Sequence, residues 1–88
     1  GLALAHAVAL GEAGEAEAAQ AVLDDHPGET GPDWAIARGR NRLRLGDAPG
    51  AAAALEQALA VRPDDVAAWA LIDCAWRLSG DARHAWLH

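Results

Sequence analysis

The chain has 88 residues, a net charge of −6 and seven cationic side chains, all of them arginine. That length suits one small domain, which buries only about 60–65% of its unfolded surface and so has little stability to spare. The acidity argues against nonspecific nucleic-acid binding, and the single cysteine, Cys74, excludes an internal disulfide.

Alanine makes up about a quarter of the chain, which favours helix, and no stretch alternates with period two as a strand would. The first predicted helix, over 2–10, is too short to span a bilayer and lacks the basic flank of a signal peptide. A second helix is predicted over 15–25 and stops before Pro27. A third covers 33–45, and a fourth covers 49–61, with Pro49 in its first turn, where a missing N–H costs nothing. The run "AAAALEQALAV" places Ala51, Leu55, Ala58 and Leu59 on one face. Pro63 closes that helix. The fifth, over 65–78, puts Trp69, Ile72 and Trp76 on a shared face expected to be core. A sixth begins at 82 and is incomplete at 88.

Three stretches share the pattern G-[DE]-A-x-x-A: Gly11 to Ala16, Gly46 to Ala51 and Gly80 to Ala85. The glycines stand 35 and 34 residues apart, a period typical of stacked helix pairs. Glycine is the usual residue just past a helix end, and Asp47 and Asp81 are placed to cap the helices that follow.

These residues resemble the tetratricopeptide repeat family. The second unit does so through Gly46, Asp47, Ala51, Leu55, Ala58 and Pro63, the third through Trp69, Ile72, Trp76, Gly80, Asp81 and Ala85. The first unit departs from the family pattern at Gln20, where a bulky residue is usual. The second departs at Arg38, usually Leu, and at Trp34, one position early. The resemblance implies an all-α, right-handed helix–turn–helix solenoid in one domain, 1–88, with units at about 1–31, 32–65 and 66–88. It also implies a concave face, lined by the first helix of each pair, that takes a peptide or protein segment. Carried over by register, that face comprises Ile36, Arg40, Leu43 and Arg44 in the second unit and Ala70, Cys74 and Arg77 in the third. The Lys/Asn set of chaperone-tail binders is absent from these positions, so chaperone-tail recognition is not expected.

A second resemblance rests on "AAWALIDCAWRLSGDARHAWL". It is similar to the last repeat before the catalytic domain in bacterial tetratricopeptide proteins carrying a 2-oxoglutarate/Fe(II) oxygenase domain. Such enzymes hold iron with a His-x-Asp pair and a distant His, and no His-x-Asp occurs here. Catalysis, if the full protein has it, is therefore expected outside these residues. The absent initiator Met and the close at "HAWLH" lead to the expectation that the 88 residues are part of a longer protein.

Other local features read more plainly as structure. "GDAPG" lacks the Gly-Lys-Ser/Thr of a phosphate loop. His84 and His88, spaced i, i+4, have no third ligand nearby in sequence. "DDHP" (Asp24 to Pro27) reads as a solvated helix end. In "RGRNRLR" the helical period puts Arg38 and Arg42 on one face and Arg40 and Arg44 on another. Two readings stay open for these arginines: pairing with acids of adjacent helices, such as Asp24, Asp25 or Asp73, or binding an acidic partner. The expected function is a noncatalytic, cytoplasmic interaction and scaffolding module with no cofactor, no bound metal and no membrane or nucleic-acid partner. The alternatives are the repeat segment of the oxygenase above, docked on a domain outside this chain, and self-association through uncapped repeat ends.

Overall fold

The structure, a computed structural model, describes residues 2–29 and 31–79. Five helices follow one another: α1 (Leu2–Glu12), α2 (Ala16–Asp24), α3 (Pro32–Arg44), α4 (Ala48–Val61) and α5 (Val66–Ser79). No strand occurs among the described residues, which are all-α. The bounds read from sequence agree within two residues at each end. The helix expected at 82–88 lies outside the described residues, as do Gly80 and Asp81 of the third repeat motif.

The turns after α1 and α3 close in the same way. Gly14 and Gly46 have φ of 86° and 84°, a left-handed backbone that suits glycine. The Gly14 N–H donates to the Gly11 carbonyl at 3.1 Å, and the Glu15 N–H reaches back to Leu10 at 2.8 Å. The Gly46 N–H donates to Leu43 at 3.1 Å, and the Asp47 N–H to Arg42 at 2.8 Å. This pair of bonds satisfies the last carbonyls of a helix that ends on glycine.

The first motif is therefore Gly14-Glu15-Ala16 rather than one opening at Gly11. Gly11 stays inside α1 and is buried, because the guanidinium of Arg44 from α3 lies over the place a side chain would occupy. On the corrected alignment Gly14 matches Gly46 and Leu23 matches Leu55, each pair 32 apart, and both leucines are among the largest fully buried side chains.

Each helix packs on the next, and α3 also packs on α1 and α5, so α3 touches all four others. The core is rich in alanine, which lets helices come close. Ala7, Leu23 and Trp34 join α1, α2 and α3. Ala35, Ala58 and Ala68 join α3, α4 and α5, and Leu55, Ile72 and Trp76 join α4 and α5. Ile72 and Trp76 are buried as expected. Trp69 is 40% exposed. It sits at the edge of the core, its ring 6.4 Å from Trp76 and its Nε1–H donating to the Pro63 carbonyl at 2.6 Å. Trp86 lies outside the described residues.

α3 and α4 meet closely at a glycine. Gly39 is buried, and a Cβ there would stand 2.5 Å from Leu55 Cγ, itself fully buried. We expect Gly39→Ala to destabilise by about 1–3 kcal/mol through overpacking, although alanine favours helix by about 1 kcal/mol. Gly11→Ala meets only the movable end of Arg44 and should be neutral or stabilising. Trp76→Ala should cost on the order of 3–5 kcal/mol. Urea unfolding of the three variants checks the order.

Candidate partner-binding surface

The residues read as a partner-binding face fall on two neighbouring helices. Ile36, Arg40, Leu43 and Arg44 lie on one side of α3 by i, i+4, i+7 and i+8 spacing. Ala70, Cys74 and Arg77 hold matching positions on α5, 34 residues later. The same step of 34 separates the residues before the two helices, Gly31 and Asp65, whose carbonyls accept from Ala35 and Trp69 at 3.0 Å each. Ile36 and Leu43 are half-buried, and Ile36 packs on the Ala35–Ala58–Ala68 cluster. Ala70, Cys74 and Arg77 are exposed. Arg77 is held by Asp73 of its own helix at 3.0 Å, so Asp73 is engaged within α5 rather than by an arginine of α3.

The four arginines of α3 divide by helix face. Arg38 pairs with no acid among the described residues. Its guanidinium donates to three backbone carbonyls around the end of α2: His26 at 2.7 Å, Leu23 at 3.5 Å, and Glu29. It also lies over the Trp34 ring, 5.5 Å from the centroid. The helix it caps, α2, is only nine residues long and has no basic residue in its last turn. A positive group from α3 thus takes over the role a C-terminal Lys or Arg usually plays. His26 is half-buried with its ring 5.4 Å from that of Trp34, which corrects the expectation of a fully solvated "DDHP". Asp24 and Asp25 are exposed.

Arg42 donates to Asp47 Oδ2 at 2.9 Å, while Asp47 Oδ1 accepts the Gly50 amide at 3.0 Å and caps α4. Asp65 caps α5 in the same way through the Ala68 amide at 3.1 Å. Arg62 of the α4–α5 loop bonds Asp33 at 3.0 Å and lies 3.9 Å from Asp65. Arg40 and Arg44 have no hydrogen-bonded or ionic partner among the described residues. Neither meets Asp24, Asp25 or Asp73.

One polar residue escaped the sequence reading. Asn41 is 2% exposed, and its amide Nδ2 donates to the Ala16 carbonyl at 2.9 Å and to Gln20 Oε1 at 3.0 Å. Gln20 in turn donates to Asp24 at 2.9 Å. The polar Gln20, odd against the family pattern, is thus the partner of a buried asparagine. The only advance signal was an Asn in mid-helix, where a side chain must find bonds outside its own backbone.

No group of three or more His, Cys, Asp or Glu side chains that could hold a metal occurs among the described residues. His84 and His88 lie outside them. No described helix is long and apolar enough to cross a membrane. Comparison with family models, curated proteins and solved structures finds no match to this chain.

Asp47 makes the fold acid-sensitive. Its carboxyl is held below the ordinary value of 3.8, first by the Gly50 amide and then by Arg42. The unfolded chain therefore takes up this proton before the folded one as pH falls. Stability from the cap is complete above the ordinary aspartate range and is lost as pH drops through the lowered folded value. Asp47→Ala should lower Tm near neutral pH and flatten its fall below about pH 4. Thermal unfolding across that range checks this. Arg38→Ala should cost about 2 kcal/mol at any pH in that range, because it strips charge-assisted bonds from half-buried carbonyls.

Proposed function

We propose that this chain is a noncatalytic interaction and scaffolding module built as a tetratricopeptide-like, right-handed solenoid. Support for the architecture comes from the two turns with matching bonds at Gly14 and Gly46, the further Gly-Asp-Ala at Gly80, and the contacts of α3 with both α1 and α5. Stacked helix pairs offer an extended surface rather than an enclosed site, which suits recognition better than chemistry. The binding face is the stripe on α3 and α5 containing Ile36, Arg40, Leu43, Arg44, Ala70, Cys74 and Arg77. A reducing, cytoplasmic setting belongs to the same reading, with Cys74 a free thiol.

The observation that carries this reading is the pair Arg40 and Arg44. Every other described arginine is satisfied within the chain. These two stand one turn apart on one face of a protein whose net charge is −6. Like charges at that spacing repel, so a fold gains nothing by leaving them together without an anion. An acidic protein or peptide segment supplies one, and the planar guanidinium holds a carboxylate through two bonds. Half-buried Ile36 and Leu43 give the same segment apolar contact.

Arg40→Ala with Arg44→Ala should weaken binding of a labelled acidic peptide by about tenfold or more while Tm stays within a few degrees. Fluorescence anisotropy and thermal unfolding read the two effects. A collapse in Tm, with no peptide binding by the unmodified chain, would make these arginines structural and end the proposal.

A further inference from the structure

We infer that the acidic segment received by Arg40 and Arg44 is the α1–α2 turn of a second copy of this chain, in a two-fold symmetric pair. The inference rests on the interaction-module reading above and names its partner.

Three exposed glutamates stand around that turn: Glu12 at the end of α1, Glu15 just before α2, and Glu17 in its first turn. None makes an ion pair among the described residues. Glu12 is poorly placed at a helix C-terminus, where the dipole disfavours negative charge. Glu15 stands at the N-cap of α2, but its side chain accepts no capping hydrogen bond. Among the described residues Arg40 and Arg44 are the two arginines without a partner, and these three glutamates stand with Asp24, Asp25, Glu29, Glu56 and Asp64 as the acids that make no ion pair.

The two arginines and the three glutamates also lie side by side. The Arg44 guanidinium rests over Gly11, the residue before Glu12. Leu45, next to Arg44, shares with residues 14–18 the wall of an open cleft of about 490 Å³, and Leu45 is 40% exposed. One edge of the molecule therefore carries a positive patch, a negative patch and an apolar residue between them. A surface of that kind is complementary to itself. A two-fold axis through Leu45 sets Arg40 and Arg44 of each copy against the glutamates of the other, and sets the two leucines together over the clefts. Residue i then meets j, and j meets i, as a closed two-fold interface requires. The overall charge of −6 opposes association at long range, but salt screens it beyond roughly 8 Å at physiological ionic strength, while the local pairs lie well inside that distance.

Sedimentation velocity, from about 10 μM to about 1 mM, tests this on the 88-residue chain. The unmodified chain should show a monomer–dimer equilibrium that weakens with added salt. Two reversed variants are needed: Arg40→Glu with Arg44→Glu, and Glu12→Arg with Glu15→Arg. Each alone should lose self-association by about tenfold or more, and an equal mixture should recover it, because each reversed patch now faces its opposite. Circular dichroism confirms that the variants fold, and Arg40→Gln with Arg44→Gln replaces the first, for the loss of self-association alone, if it does not. A chain monomeric throughout, or a dimer indifferent to both reversals, overturns the inference. A monomer that still binds an acidic peptide through Arg40 and Arg44 would sink the second-copy reading and leave the interaction module standing. A monomer that binds no acidic peptide would sink both.

Discussion

The period of one helix governs this molecule. α3 lies against all four other described helices, and each residue along it turns about 100° from the last. That rotation decides what each side chain of "RGRNRLR" meets. Arg38 and Arg42 turn toward the end of α2 and the start of α4, where carbonyls and Asp47 take up their charge. Gly39 and Asn41 turn inward, one admitting Leu55 and the other bonding α2. Arg40 and Arg44 turn toward a side where no described acid pairs with them. Four arginines of identical chemistry thus acquire two different environments from position alone.

The rest of the fold is arranged around keeping α3 in that place. The alanine-rich core provides little apolar area per residue, so specificity comes from a few larger contacts: Leu23, Leu55 and Ile72 fully buried, and Trp34 and Trp76 nearly so. Polar bonds then fix the register. Asn41 holds the start of α2 and Arg38 holds its end, so this short helix is clamped at both ends by α3. In α4 and α5 the same need is met locally by Asp47 and Asp65. The first helix pair therefore depends on its neighbour more than the second does.

Much of this was legible in the residues. Proline and glycine punctuation placed all five helices, because those residues constrain the backbone whatever surrounds them. Leu55, Ile72 and Trp76 announced themselves as core through spacing. Gly11 misled because Gly-Glu-Ala occurs twice within six residues, at 11–13 and 14–16, and only packing against Arg44 tells a glycine within a helix from one past its end. Trp69 shares the stripe of Trp76 but falls where the described helices no longer cover it. Arg38 and Asn41 were illegible for a different reason. Most of their partners are backbone carbonyls of α2 and the turn after it, which look the same for every residue type and leave no mark in a sequence. The proposed face on α3 and α5 could be drawn from register, but only the coordinates distinguish arginines already satisfied from those that are not.

The division of the arginines is the claim on which the functional reading stands. Nitrogen-15 NMR of the guanidinium groups, recorded on dilute chain, reports it side chain by side chain. Arg38 and Arg42 should show slow rotation and slow hydrogen exchange, since each is fixed by hydrogen bonds, while Arg40 and Arg44 should give averaged, rapidly exchanging signals. If all four behave alike, or if Arg40 and Arg44 prove to be the restrained pair in the isolated chain, the account is wrong.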